Sequence, residues 1–373
     1  MKKITKKTTK KKDPSSITLR WSDHFVGLPN AFLRSALFST GRGRGDINEG
    51  RGGIVSAEEG NRVTIKATSD ISVTASMGGG RLNQYDKLVF SSLIHLCWLH
   101  DIDKDGCKAT KFQFRISDGL KILGIEPSTA TARVYLASLE RLSQTTIIID
   151  HLVGRYKAHF SGSLLSYSSI HRGRAAGSVI NININESLQP LFQAGMWSAL
   201  DWQIMQSLGR NYLAHWIYSF FSSHNAGRGS TMRKVCPALK CDIYDLQFYS
   251  LYKLQSLCGT DIKERWKFKQ KLNEAIAKIK AACDAANVDM EYEFRRGKSG
   301  DEQLRLGFTP RPRGKIVFSP PVPVTASTIT LEEDEERHKA AEDLRRKWDE
   351  AFGDREEDED EEERDDTYDY YDD

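Results

Sequence analysis

A long amphipathic helix followed by a basic hairpin constrains this chain more than any other stretch. Across residues 260–287, apolar side chains recur at helical spacing, and Thr260 and Asp261 stand where an N-cap and a first-turn acid belong. Two strand-like runs follow at 290–296 and 303–309, joined by a glycine-bounded tip. This order predicts the last helix and the wing of a winged helix.

The face opposite the apolar stripe carries residues suited to reading DNA. Glutamine can pair with adenine through two hydrogen bonds, and lysine can reach guanine acceptors or phosphate. A solvated basic helix packed on a small sheet is the alternative, because charge runs are commonly solvent-facing. The candidate DNA-binding residues of this region, including the cation in the hairpin tip, are Lys263, Trp266, Lys267, Gln270, Lys271 and Lys298.

The same order of elements occurs earlier in the chain. A helix predicted at 83–100 precedes a strand at 110–116, a short helix at 118–123, a helix beginning at Pro127-Ser128, and strands up to residue 184. This first module repeats the plan of the second without a residue-level repeat. Its candidate DNA-binding residues are Ser128 and Thr129 at the start of the helix, with Arg133 and Arg141 predicted to point outward.

The pattern predicts an α+β protein of tandem winged-helix domains with a disordered basic N-terminal arm and an acidic C-terminal tail. The expected segments are the arm at 1–20, a docking segment with a Gly/Arg loop and short hairpin at 21–82, the first winged-helix domain at 83–185, the second winged-helix DNA-binding domain at 186–318, a Pro-rich linker at 319–330, and a charged helix with the acidic tail at 331–373.

Charge is distributed very unevenly along the chain. Residues 331–373 contain 23 acidic and 7 basic residues, a net of −16, whereas the whole chain carries +3, so residues 1–330 carry +19. Such a basic body is typical of a protein that binds a polyanion, and it gives affinity for nucleic acid without specifying a sequence. We expect the tail to compete with phosphate for the same cations.

Several other classes of protein find little support in the sequence. No apolar run approaches the ~20 residues that cross a bilayer, and the six scattered cysteines suit a reducing bacterial cytoplasm. A phosphate-cradling glycine loop is absent, and the calcium-like run beginning at Asp101 has Phe112 where a bidentate carboxylate is needed. We therefore predict a cytoplasmic, non-enzymatic protein without cofactor, metal or membrane partner.

Three stretches resemble the TrfA-type plasmid replication initiators: residues 27–38, residues 82–86 at the start of a long helix, and Leu257-Cys258-Gly259. The resemblance covers about residues 21–310. It implies tandem winged helices that bind direct repeats in double-stranded plasmid origin DNA, open a neighbouring AT-rich region, and recruit the host replication initiator and replicative helicase. Exchange between monomer and dimer is left open.

Two functions from other classes remain as alternatives. A transcriptional repressor would use the same modules without opening DNA. A rolling-circle nickase would need a metal-binding histidine pair, which the sequence lacks. The run Gln303–Phe308 also resembles a peptide that binds the bacterial sliding clamp, although ordinary period-two packing of a wing strand explains it more simply.

Overall fold

The computed structural model describes residues 25–41, 54–58, 62–78, 80–100, 110–154, 156–170, 177–192, 196–235, 247–298 and 300–310. The chain divides into two units, residues 1–321 and 322–373, and every described residue belongs to the first. The basic arm, most of the Gly/Arg loop, the calcium-like run, the Pro-rich linker and the acidic tail lie outside the described residues.

The described residues mix helices with antiparallel strands, so the predicted α+β class is confirmed. The helices are α1 (Asn30–Leu33), α2 (Gln84–His100), α3 (Ile116–Ile122), α4 (Thr129–Gln144), α5 (Trp202–Ser207), α6 (Tyr212–Val235), α7 (Leu251–Leu257) and α8 (Arg265–Ala285), with a 3₁₀ helix at Glu186–Phe192. The strands are β1 (Phe25–Pro29), β2 (Ile54–Glu58), β3 (Arg62–Ile65), β4 (Ile71–Met77), β5 (Lys111–Arg115), β6 (Thr145–Val153), β7 (Tyr156–Ser163), β8 (Leu165–Ile170), β9 (Val179–Ile184), β10 (Trp197–Asp201), β11 (Tyr249–Ser250), β12 (Val288–Arg296) and β13 (Glu302–Pro310).

Two three-stranded sheets have the same internal order. In the first half, α2, β5, α3 and α4 precede the hairpin β8–β9, and the strands lie in the order β5-β9-β8. In the second half, α6, β11, α7 and α8 precede the hairpin β12–β13, and the strands lie in the order β11-β13-β12. Each sheet therefore places its last strand between the other two.

The first half contains an additional hairpin, which joins a different sheet. Strands β6 and β7 follow α4 directly, and β6 pairs with β4 to give the five-stranded order β2-β3-β4-β6-β7. Buried and exposed side chains alternate along β6, as expected for a strand with one face on the core. Ile147 and Ile149 are buried, whereas Thr146 is exposed. The later hairpin, β8–β9, pairs instead with β5 in a separate sheet.

Residues 25–41 run along both halves. Strand β1 pairs along its whole length with β10, while Ser35 bridges to Ala67 beside the five-stranded sheet. Buried apolar side chains from these and the other described elements form one continuous cluster. Residues 25–41 thus pack against the rest of the described chain, while the docking segment at 21–82 stays a prediction as a unit.

Local chemistry moved several predicted boundaries. Helix α8 begins at Arg265 rather than Thr260, because the Thr260 hydroxyl accepts a hydrogen bond from the Ile262 N–H at 3.2 Å and holds a turn. Helix α7 begins at Leu251, where the Ser250 hydroxyl caps it. The short segment at 186–192 is 3₁₀ and contains Pro190.

Candidate nucleic-acid interface

Helix α8 buries one face and exposes the other, as its sequence predicts. Its outer face begins with Arg265 and Trp266, whose exposed fractions are 70% for the arginine side chain and 65% for the tryptophan. Lys267, Gln270 and Lys271 continue this exposed face. The buried face consists of the predicted Phe268, Leu272, Ala275, Ile276, Ile279 and Ala282, together with Cys283, which was not predicted.

Lys263 is exposed but lies before α8, not on it. The loop from Thr260 to Glu264 takes the place of the first predicted turn, and the Gln255 side chain donates to the Ile262 carbonyl at 2.7 Å. Lys263 therefore lies in the turn between α7 and α8. Its predicted place on the helix face is wrong, whereas a contact with DNA stays a prediction.

Two lysines of the outer face form short-range ion pairs. Lys267 Nζ lies 3.1 Å from Glu264 Oε1, and Lys271 Nζ lies 2.8 Å from Glu274 Oε2. Hydrogen bonding to its own backbone and to Lys267 lowers the pKa of the Glu264 carboxyl. Exposed pairs of this kind contribute little to stability because solvent screens them. Both ammonium groups can therefore exchange a carboxylate for a phosphate at little cost.

Two exposed aromatic rings each have a cation beside them. Lys267 Nζ lies 5.4 Å from the ring centroid of Trp266, and Arg265 Cζ lies 5.6 Å from the ring centroid of Tyr252. Tyr252 belongs to α7 and is 60% exposed. Contacts at this distance are cation–π interactions, which keep both aromatic and cationic groups on one surface. Sequence reasoning missed Arg265 and Tyr252, because their proximity depends on how α7 meets α8.

The hairpin β12–β13 extends the basic surface beside α8. Arg265 Nη1 lies 3.9 Å from the Asp301 carboxylate in the hairpin loop, and Lys269 pairs with Glu302. Lys298 is exposed at the tip, as predicted. Gly300 makes this tight turn with φ of +79°, a conformation that glycine adopts without strain. The α7–α8 turn, α8 and the hairpin tip thus offer cations from three adjoining elements.

Arg295 and Arg296 add exposed cations near the end of β12. The guanidinium carbon of Arg295 lies 3.5 Å from the ring centroid of Phe248, and the guanidinium of Arg305 lies 4.5 Å from the same centroid. The Phe248 ring thus contacts both an exposed arginine and a buried one. These two β12 arginines were also missed, since a strand prediction alone does not say which face meets solvent.

Helix α4 of the first half presents a less charged outer face. The Ser128 hydroxyl accepts from the Thr131 N–H, and the Thr131 hydroxyl accepts from the Ser128 N–H, which completes a capping box. Thr129 and Arg133 are exposed, in keeping with their predicted places. Val134 lies beside them and is 52% exposed.

Arg141 points inward, which corrects the prediction that it lies on the outer face. Its Nη2 lies 2.7 Å from Oδ1 of Asp86, whose side chain is completely buried. A buried carboxylate is costly unless it is paired and hydrogen-bonded. The requirement of Asp86 for a cation therefore decides the orientation of Arg141, and helical spacing alone could not reveal it.

The clamp-like run lies in the central strand of the second three-stranded sheet. Strand β13 pairs with both β11 and β12, and Leu304 and Leu306 are fully buried. The Phe308 ring packs edge-on against Tyr218 at 5.1 Å. Packing of Leu304, Leu306 and Phe308 explains this run as part of a core strand, and a contact with a sliding clamp stays a prediction.

Within the described residues, no cluster of three or more His, Cys, Asp or Glu side chains could hold a metal ion. The calcium-like run at 101–106, which the sequence already disfavours as a site, lies outside that part of the chain. No helix of the described part is both long and apolar enough to cross a membrane.

No protein-family model matches the sequence, and no curated protein matches it significantly. Among solved structures, domains 2 and 3 of RctB match with a TM-score of 0.41 at 11% identity, covering 73% of this chain and 94% of that one. The Pi initiator protein in complex with iteron DNA matches with a TM-score of 0.38 at 11% identity, covering 62% of this chain and 96% of that one. At scores and identities this low, these likenesses establish neither a shared fold nor a shared function.

Proposed function

We propose that this protein is a bacterial plasmid replication initiator that binds direct repeats of duplex DNA through two winged-helix units. The observation that carries DNA binding is the surface of α8, where Arg265, Trp266 and Lys267 stand exposed beside the basic hairpin β12–β13. A helix whose outer face offers cations and hydrogen-bonding groups can enter a major groove, and the hairpin can follow the adjacent backbone.

The topology supports two such units in tandem. Both halves have the order helix, strand, helix, helix and hairpin, and both three-stranded sheets place the last strand in the centre. This order suits a winged helix in which the third helix reads DNA and the hairpin forms the wing. By this assignment, α4 and α8 are the two reading helices.

The replication role is supported by the sequence resemblance, not by the geometry. Opening of an AT-rich region, recruitment of the host initiator and helicase, and exchange between monomer and dimer belong to that part of the proposal. We propose no catalytic step, since the basic surface described above can bind DNA but supplies no nucleophile with its activating base.

Footprinting on the plasmid origin, combined with two matched lysine variants, tests DNA binding. Lys267→Ala should weaken binding to the protected repeat by about 1–3 kcal/mol if the ammonium meets a base. Lys278→Ala removes an exposed lysine from the same helix 11 residues further on, about 16 Å away along the helix axis, and should change affinity far less. Unchanged affinity in both Lys263→Ala and Lys267→Ala would contradict the placement of α8 on DNA.

The initiator role needs a separate measurement. Permanganate reactivity of thymines in a supercoiled origin plasmid should rise when the protein binds, since unpaired thymines react. Specific binding without any such opening would support a repressor instead. Conversion of the supercoiled plasmid to a nicked circle would contradict a non-catalytic initiator.

A further inference from the structure

Two of the stretches that carry the family resemblance, residues 82–86 and 257–259, lie far apart in sequence but both contact the residues that directly follow the third stretch, 27–38. We call their meeting point the bracket, defined as residues 38–41, 82–86 and 257–259. The Thr40 N–H donates to the Cys258 carbonyl at 2.9 Å, and the Gly41 N–H donates to the Gly259 carbonyl at 3.3 Å. These bonds hold the turn that leads from α7 into α8.

The same short segment also binds the start of α2. The Ser39 N–H donates to the Leu82 carbonyl at 3.0 Å, and the Ser39 carbonyl accepts from the Gln84 N–H at 3.0 Å. The buried Gln84 side chain additionally donates to the carbonyl of Phe38. Three consecutive residues, 39–41, thus connect the first turn of α2 with the turn before α8.

The bracket continues from α2 to α4. The Asp86 carboxylate accepts from the Ser138 hydroxyl at 2.7 Å and from Arg141 Nη2 at 2.7 Å, and both donors lie on α4. It also accepts from the Asn83 N–H at 2.8 Å, which fixes its position at the helix start. A continuous series of hydrogen bonds therefore joins α4 to the turn before α8.

The bracket leaves little room for adjustment. Cys258 is fully buried, and this burial raises the pKa of its thiol to about 12, so the group stays neutral and packed. A Cβ at position 41 would lie 2.4 Å from the Asp261 carboxylate, so a larger residue there must displace that side chain. Packed, bonded junctions of this kind keep one arrangement instead of deforming gradually.

We propose that the bracket fixes the distance and rotation between α4 and α8, so that the protein measures the spacing of its two contacts along DNA. The inference rests on the proposed function, because it takes both helices as DNA readers. B-DNA turns once in about 10–10.5 bp, so 5 bp inserted between the contacts would move one of them to the opposite side of the duplex. A rigid pair of helices cannot follow that change.

Spacing dependence distinguishes a positioning role from a merely structural one. The probe is the duplex repeat mapped by footprinting, unaltered or with 5 or 10 bp inserted between its two blocks of base contacts. We expect the wild-type protein to lose at least about 100-fold in affinity for both inserted duplexes, because specific binding exceeds non-specific binding by about 1,000-fold or more.

Two bracket variants should relax this dependence. Gln84→Leu removes the side-chain bond to Phe38, and Gly41→Val displaces Asp261 beside the α7–α8 turn. Each variant should bind the unaltered repeat within about 10-fold of the wild-type affinity. Its affinity for the inserted duplexes should then be less than about 10-fold weaker than for the unaltered repeat. Gln144→Leu makes the same chemical change on an exposed residue of α4 outside the bracket and should keep the wild-type profile.

The possible results separate this inference from the proposed function. Wild-type protein that tolerates the insertions overturns the spacing role, as do folded variants that bind more weakly with an unchanged spacing profile. Failure of wild-type protein to bind the unaltered repeat at all overturns the proposed function instead. A thermal melt of each variant shows that it is folded, and the wild-type insertion series decides the matter if one variant does not fold.

Discussion

Replacing Lys87 with methionine should stabilise the protein, and more so at neutral than at alkaline pH. Lys87 lies on α2, its side chain is completely buried, and its ammonium donates to the Ser219 hydroxyl on α6 at 3.0 Å. Among the described residues this is its one hydrogen-bond partner. The Ser219 hydroxyl also donates to the His215 carbonyl at 2.6 Å, so Lys87→Met leaves it satisfied.

Burial sets the size of the effect. Desolvation lowers the pKa of Lys87 from its ordinary value of 10.5 to about 7. Between these values the unfolded chain holds a proton that the folded protein has released, so stability rises with pH across that window. Each pH unit contributes up to about 1.4 kcal/mol, or about 2–3 kcal/mol between pH 7 and pH 9. At pH 7 the free energy of unfolding of the methionine variant should exceed that of the wild type by about 1–4 kcal/mol.

Denaturant unfolding of both proteins, measured every half pH unit from pH 7 to pH 9, provides the comparison. Taking the difference between the proteins cancels other groups, including the buried thiols of Cys258 and Cys283, whose pKa values burial raises to about 12. His215 is buried nearby, and desolvation lowers its pKa to about 3, so it stays neutral throughout.

The advantage of Lys87→Met should shrink by about 2–3 kcal/mol from pH 7 to pH 9. A pH-independent difference would show that the amine does not titrate in this window. A variant less stable than the wild type at pH 7 would refute the reasoning outright, since it would mean that the buried ammonium contributes more than it costs. Ser219→Ala removes the acceptor and should destabilise the protein most at pH 7.

Three further substitutions test other parts of the fold. Arg141→Ala should lower the free energy of unfolding by about 3–5 kcal/mol, because it leaves the buried Asp86 carboxylate without its cation; a loss under about 1 kcal/mol in denaturant unfolding would contradict this pairing. Trp266→Ala should weaken duplex binding in a gel-shift assay without lowering the thermal midpoint, since the ring is largely exposed; an equal loss from Gln144→Ala would show that the effect is not local. Gly300→Ala should cost about 1–2 kcal/mol, because alanine is strained at a φ of +79°, and a thermal midpoint equal to that of the wild type would argue against the turn.

The candidate interface was predictable where one element alone decides which way a side chain points. Trp266 and Lys267 were placed correctly because the apolar period of a single helix defines its outer face. Lys298 follows equally from a glycine-bounded hairpin tip. Lys263 was misplaced, since the Thr260 hydroxyl and the Gln255 side chain stabilise a turn in place of the first helical turn.

Residues whose roles depend on a second element escaped prediction. Arg265 contacts Tyr252 on α7 and Asp301 in the hairpin loop. Both partners lie outside α8, so the periodicity of α8 could not reveal these contacts. Arg141 was assigned to solvent because its partner, Asp86, lies 55 residues away on another helix. Hydrogen bonds and ion pairs between elements have no signature in the periodicity of either one.

The sequence by itself determined the main helices and the hairpin of each half, the buried face of α8 and the charge of its outer face, because short-range spacing and residue chemistry decide these properties. Only the tertiary structure decided that β6–β7 leaves the first module for the sheet of β4, and that residues 39–41 connect α2 with the turn before α8. Strand pairing and backbone hydrogen bonds join groups that are distant along the chain. Their partners are selected by packing of the whole core, which no local pattern of residues records.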